Sequence, residues 1–326
     1  FRRQSRSNPY QSNHQYPATK LISSNTSAIS FKRPFRSNLA FYLYINGNPT
    51  PLNMINGDIT KLVELLKNEQ AEKTDDDIGL ARSRVYGGQL LGQGLLALLN
   101  SEEQKASSIK SLFMRPGIVG KPISYQISRV SPNINIFDVN AIQEEKHLFV
   151  MKAHLGTYSP APSEIFPLVP SPDQCISRAD GINGLENNID STWAVIDSPF
   201  EYRFTENIWH PDYKKPSHYV WFRVPQLPSE IRKSQLYQQA ILAYFSDDNI
   251  MDNALFPHGW LNSWEKYQTA TLDHSMWFHA DIDLENWALF AQDSPVTKNG
   301  RGLTRGLFFN PSGQIVASAY QEILLR

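Results

Sequence analysis

Ala270-Thr271-Leu272-Asp273-His274-Ser275-Met276-Trp277-Phe278-His279 is followed, after a variable segment, by Gly302-Leu303-Thr304-Arg305-Gly306 and then by Ala319-Tyr320-Gln321-Glu322. These runs read as one strand and the two arms of a strand hairpin. Threonine and glutamine inside apolar strands cost free energy unless hydrogen-bonded, so they mark either a satisfied core network or a polar site. Asp273-His274-Ser275 spells a catalytic triad in adjacent letters. Successive side chains of a strand point to opposite faces, however, so His274 turns away from both neighbours and no relay can form within the stretch.

Moving outward, the strand Thr271 to His279 is one of a series. Upstream, Phe200 to Phe204 and Tyr219 to Val224 read as strands and Lys233 to Phe245 as a helix. Downstream come Trp287 to Gln292, Leu303 to Phe309 and Ile315 to Leu324, with Pro311-Ser312-Gly313 as a turn. An earlier part of the chain follows the same plan. Val85 to Leu99 enters a helix that is apolar nearly all round, hence buried. Its glycines suit the close approach of another backbone, as when a sheet wraps round the helix. A short amphipathic helix over Leu62 to Asn68 precedes it. Strands over Ile109 to Met114, Ile123 to Val130, Ile136 to Gln143 and Leu148 to Leu155 follow, the last two joined at Glu144-Glu145-Lys146. A helix, then a strand with Ser111-Leu112-Phe113 or Ser275-Met276-Trp277, then a closing hairpin at Leu148-Phe149-Val150 or Ile315-Val316-Ala317, makes an internal repeat. A helix buried by one antiparallel sheet requires that the sheet curl round it. The expected class is α+β, with two such units. The expected divisions are a basic leader over 1–57, a first unit over 58–157, a connector over 158–196 and a second unit over 197–326.

Composition excludes several functions. A net charge of -1 over 326 residues gives no reason to expect nucleic acid as partner. No apolar run reaches the roughly 18 to 20 residues of a membrane helix. The single cysteine, Cys175, lies in a loop-like stretch without a nearby histidine, which does not favour a thiol nucleophile. Gly87-Gly88 lacks the following residues of a nucleotide-phosphate loop. Residues 1–57 hold Arg2, Arg3, Arg6, Lys20, Lys32, Arg33 and Arg36 and no acid, a pattern like a mitochondrial transit segment or a disordered arm.

A second constellation combines Asp247, near the end of the helix, with Thr271 and Gln321. A carboxylate, a hydroxyl and a carboxamide supply an acceptor, a donor and an orienter for a water molecule, with no covalent nucleophile. On the residues alone, Asp247 as a solvated helix end and Gln321 as a satisfied core amide remain open. Arg301 and Arg305, flanking glycines beside the last hairpin, are candidate phosphate-binding groups; surface charge on a hairpin is the other reading.

Residues of about 60 to 326 resemble the acyl-CoA thioesterase II family. The resemblance is carried by Arg84-Val85-Tyr86-Gly87-Gly88-Gln89, Phe113-Met114-Arg115-Pro116-Gly117, Ser246-Asp247, Pro257-His258-Gly259, Ala270 to His279, and Arg301-Gly302 through to Gln321-Glu322. It implies a double hot-dog that hydrolyses fatty acyl-CoA to fatty acid and CoA, with Asp247, Thr271 and Gln321 activating water. The candidate substrate contacts are Gly88, Gln89, Arg301 and Arg305, and a homo-oligomer with no cofactor or metal is expected. The family pattern has histidine where this chain has Lys110, and an arginine is absent from Asn133 to Asp138. The rival readings are a hot-dog enoyl-CoA hydratase and a non-catalytic acyl-CoA-binding protein. Location is expected to be peroxisomal from the resemblance; mitochondrial, from the basic leader, and cytoplasmic are the alternatives.

Overall fold

The structure, a computed structural model, describes residues 84–157, 166–183, 198–259 and 268–326, with Leu62, Glu64, Leu66 and Lys67. The basic leader and the acidic Asp75-Asp76-Asp77 lie outside the described residues.

Four strands follow the first central helix, Gly87–Glu102: β1 (Ala106–Phe113), β2 (Ser124–Arg129), β3 (Ile136–Gln143) and β4 (Lys146–Leu155). The hairpin between β3 and β4 turns on Glu144 and Glu145, both at positive φ, as a two-residue turn compatible with strand twist requires. Four more strands follow the second central helix, Gln235–Phe245: β8 (Thr269–Phe278), β9 (Ala288–Lys298), β10 (Arg301–Phe309) and β11 (Ile315–Leu325). Three strands precede that helix: β5 (Ile176–Ser177), β6 (Glu201–Phe204) and β7 (Ser217–Arg223). All pair antiparallel in the order β2-β3-β4-β1-β8-β11-β10-β9-β7-β6-β5, so the two half-sheets fuse into one where β1 meets β8. This is the double hot-dog arrangement, with one sheet carrying both helices on its inner face.

Several boundaries differ from the sequence reading, each for a physical reason. The helix read over Lys233 to Phe245 is two helices, Ser229–Lys233 and Gln235–Phe245, parted by Ser234 in an extended conformation. The Gln238 side chain donates to the Arg232 carbonyl at 2.9 Å and so replaces a helical bond. Within the stretch read as a connector, Ile176–Ser177 pairs with β6 at the sheet edge, and Arg178–Ile182 forms a helix capped by Ser177.

The sheet covers each helix with its inner face. Tyr125 and Val139 lie against Gly94 of the first helix, and Phe222 and Phe290 pack on Phe245 of the second. Gly88 and Gly92 of the first helix serve a different neighbour from the one expected. A Cβ on Gly88 would lie 2.2 Å from the Tyr244 carbonyl oxygen, and one on Gly92 3.0 Å from that of Ala240. The close approach is therefore helix against helix.

The repeat is stricter than its sequence signature. β1 carries an irregularity between Ala106 and Ser108, opposite Leu155 and His154. β8 and β11 carry one where Thr271 pairs Ile323 and Asp273 pairs Glu322. The closing hairpins also match, with shifts at Ala141/Ile142 and at Phe308/Phe309. These landmarks equate Ala106 with Thr271, Ile109 with His274 and Ala153 with Gln321. The alignment of Ser111 with Ser275 is thus one residue out of register. A one-residue slip exchanges the faces of a strand, and Ser111 faces inward while Ser275 is only half-buried.

The helix contact predicts a steep and local sensitivity. Gly88→Ala sets a methyl group against backbone, with no flexible side chain to yield, and should cost about 3 kcal/mol or more. Gly94→Ala, whose Cβ would meet side chains at 3.3 Å and beyond, should cost clearly less. Thermal unfolding of the two variants, compared directly, checks this.

Candidate active site

The second central helix ends at Phe245, and the next two residues turn inward: Ser246 is fully buried and Asp247 is 7% exposed. Thr271 Oγ1 donates to Asp247 Oδ1 at 3.1 Å, and Gln321 Nε2 donates to Thr271 Oγ1 at 2.8 Å. The Gly88 amide, in the first turn of the first central helix, also donates to the Asp247 carboxylate. A Cβ on Gly87 would stand 2.6 Å from Asp247 Oδ2, so glycine is needed here for the carboxylate to come so near. The free amides and the dipole of a helix N-terminus favour an anion at this spot.

The three residues that the sequence singled out, Asp247, Thr271 and Gln321, therefore lie in one hydrogen-bonded group. Burial pushes the Asp247 carboxyl up to about 7; bonds from Thr271, Gly88 and Gln321 pull it down, and the neighbouring Asp248 charge adds to the rise. The two adjacent acids are separated by their partners: Asp248 accepts from the Tyr202 hydroxyl at 2.6 Å. Tyr86 donates to the Tyr244 carbonyl at 3.2 Å. Burial, then the charges of Asp247 and Asp248, raise its phenol well above the ordinary tyrosine value, so it stays protonated.

Two further members were not foreseen. His274 Nδ1 lies 3.1 Å from Gln321 Oε1, and its Nε2 lies 2.9 Å from Ser246 Oγ. His274 does face away from Asp273 and Ser275, as strand alternation requires. Along an ideal strand it would also face away from Thr271, three positions earlier. The irregularity at Leu272 resets the alternation, so that Thr271 and His274 both reach Gln321. Nothing in the residue pattern announces that bulge, although the Ser246-Asp247 and His274 letters are all within quoted motifs.

The other residues expected to contact substrate have protein partners of their own. Gln89 is buried beside Gln93, within the first unit, and the Gly88 amide faces Asp247. Arg301 and Arg305 point to the outer face of the sheet, where Thr304 and Gln321 point inward. Arg301 pairs with Glu322 at 3.2 Å, and Arg305 grips Asp293 through two bonds of 2.7 and 2.9 Å. Lys110 is exposed on β1, its Nζ 5.5 Å above the Trp277 ring. The Cys175 thiol is pushed up by partial burial, and its sulfur lies against the Pro170 carbonyl. The repeat equivalents of Thr271, His274 and Gln321 are Ala106, Ile109 and Ala153, all apolar and buried. At that place Gln239 seals the backbone of Ala106 with two bonds, of 2.9 and 3.0 Å. Among the described residues this polar group occurs in the second unit and not in the first.

A buried carboxylate poised near neutrality, held by a hydroxyl and an amide on a paired helix-wrapped sheet, has the chemistry to take a proton from water. A family model described as acyl-CoA thioesterase matches residues 199–324. The chain is 31% identical over 293 residues to acyl-CoA thioesterase 2 of Haemophilus influenzae, covering 82% of this chain and 98% of that protein. Its fold matches an acyl-CoA thioesterase II from Mycobacterium marinum at 27% identity and a TM-score of 0.59, over 74% of this chain and 88% of that one. A hot-dog protein from Alicyclobacillus acidocaldarius, 15% identical, matches at a TM-score of 0.59 over 80% and 97%. The chain belongs to the acyl-CoA thioesterase family.

The buried acid makes stability depend on pH with a definite sign. Its folded value of about 7 lies above the ordinary, unfolded aspartate value of roughly 4. The folded state therefore binds the extra proton, and this contribution to stability is present at low pH and lost as pH rises from about 4 through 7. Asp247→Asn removes that loss. The melting temperature of the variant relative to the native protein should be higher at pH 8 than at pH 5, by several degrees. Melting curves of both proteins at the two pH values test it.

Proposed function

We propose that this protein hydrolyses acyl-CoA thioesters by general-base activation of water at Asp247. The single observation that carries the reading is the Thr271 and Gln321 chain of hydrogen bonds onto a buried carboxyl whose proton affinity is raised to about 7. A base is most effective when its pKa lies near the working pH. In the reaction, Asp247 takes a proton from water as the water oxygen bonds to the thioester carbonyl carbon. The tetrahedral intermediate then expels the CoA sulfur, which recovers the proton from Asp247, leaving fatty acid and CoA. Thr271 and Gln321 hold the carboxylate and water in line. No side-chain nucleophile takes part, and the enoyl-CoA hydratase and non-catalytic readings are not favoured by the family to which the chain belongs.

Asp247→Asn preserves shape and removes proton acceptance, so kcat should fall by about 10²- to 10⁴-fold with the fold intact. Thr271→Ala and Gln321→Ala should each cost less, and their effects should be far from additive with that of Asp247→Asn. Release of CoA from a panel of acyl-CoAs measures all of this. The acid limb of kcat/KM should fall near pH 7, activity rising as Asp247 loses its proton. A covalent acyl-enzyme trapped at short times would refute the scheme.

The same proposal extends to the CoA end of the substrate and to assembly. Arg301 and Arg305 are exposed and each faces a single carboxylate, which a phosphate can displace by offering more acceptors to a guanidinium. Arg305→Ala should raise KM and leave kcat nearly unchanged; an unaltered KM would assign it to the Asp293 pair alone. The protein is also proposed to be a homo-oligomer, a reading supported by the resemblance and tested by light scattering.

A further inference from the structure

The polar group around Asp247 is a closed ring. From Ser246 it passes to His274, Gln321, Thr271 and Asp247, and Asp247 is the residue bonded to Ser246 in the chain. Ser246, His274 and Gln321 are fully buried, so no solvent can correct a mismatched donor.

Each link must carry one proton. For Thr271 to donate to the Asp247 carboxylate, its oxygen must accept from Gln321, which requires the nitrogen end of the Gln321 amide. The oxygen end then faces His274 Nδ1, and only an Nδ1–H can satisfy it. With the proton on Nδ1, a neutral His274 has a bare Nε2, which the Ser246 hydroxyl fills at 2.9 Å. The Ala243 carbonyl lies 2.8 Å from the same hydroxyl and competes for its proton. If Ser246 donates there, the imidazole proton moves to Nε2 and Nδ1 becomes an acceptor. The Gln321 amide must then turn over, and the Thr271 hydroxyl donates to Gln321 and not to Asp247. The imidazole is neutral in either case, because burial draws His274 down to about 4.

We infer that His274 is a positioning residue whose Nδ1–H tautomer fixes the sense of the Gln321 amide and thereby aims the Thr271 hydroxyl at the catalytic carboxylate. This rests on the general-base reading of Asp247 and deepens it. His274 never meets substrate; it decides which way a chain of four donors points.

The groups that titrate and face Asp247 are Asp248 beside it and Tyr86 at the entry to the first helix. Neither is in the ring, so a variant at His274 leaves them in place. The bonds from Thr271 and Gln321 oppose the rise of the Asp247 carboxyl, so losing their orientation moves it further up.

His274→Asn retains an N–H near the position of Nδ1, whereas His274→Leu removes it. His274→Leu should lower kcat by about 10- to 100-fold, the scale of a misaligned reacting group, with KM within about twofold. Its acid limb should shift to higher pH. His274→Asn should restore most of the kcat and return the limb toward the native position. A packing role alone predicts neither the shift nor the difference between the two. Native kcat and an unshifted limb in His274→Leu overturn the inference. If that variant fails to fold, ¹⁵N imidazole shifts of the native protein decide: an Nδ1–H tautomer supports the inference, and an Nε2–H tautomer overturns it. Asp247→Asn measured alongside separates the two readings. A loss there with none in His274→Leu refutes the orienting role alone; no loss in Asp247→Asn refutes the general base beneath it.

Discussion

Everything at this site depends on how closely two helices touch. Gly88 brings the opening turn of the first central helix against the Tyr244 carbonyl of the second, at a separation that leaves no room for a side chain. One consequence is that the donor-rich start of one helix meets the residues just past the end of the other. Asp247 sits in that seam and accepts from Gly88. The amide offers the carboxylate a fixed, dry partner, while the surrounding apolar packing keeps its proton affinity high. A looser helix pair would admit water, and the acid would return toward an ordinary surface value.

Much of this was legible in the sequence, and what was not has identifiable causes. The fold could be read because the first central helix is apolar all round and the strands recur in the same order in both halves. Asp247, Thr271 and Gln321 could be selected because their side chains supply complementary hydrogen-bonding roles, and the long Ala270 to His279 string tied them to a family. His274 is not legible as a partner of Thr271 because the bulge at Leu272 is what brings the two to one side. A bulge is a property of pairing with β11, and that partner is some fifty residues away. Gly94 meets the sheet, but Gly88 and Gly92 meet the second helix, which lies about 150 positions along the chain. The split at Ser234 likewise arises from a side-chain bond, from Gln238 to Arg232.

The outer surface was the least legible part. Arginines beside glycines suggested phosphate recognition, yet residue type cannot tell which face of a strand a side chain takes when the strand end is uncertain. In the structure both arginines stand among acids on the outer face, with Thr304 between them pointing inward. Pairing of this kind on a surface contributes little to stability, so its presence does not by itself assign a role.

The irregularities at Ala106/Ser108 and at Thr271/Asp273 occupy the same place in the two halves, but Thr271, His274 and Gln321 at one are matched by Ala106, Ile109 and Ala153 at the other. The bend therefore does not exist for the sake of the chemistry. It is a feature of the backbone path that both half-sheets share. At one bend the shared path sets a hydroxyl, an imidazole and an amide in contact with one another; at the other, alanine, isoleucine and the amide of Gln239 close the same place. At this place the two halves share one backbone geometry and differ in the side chains set on it.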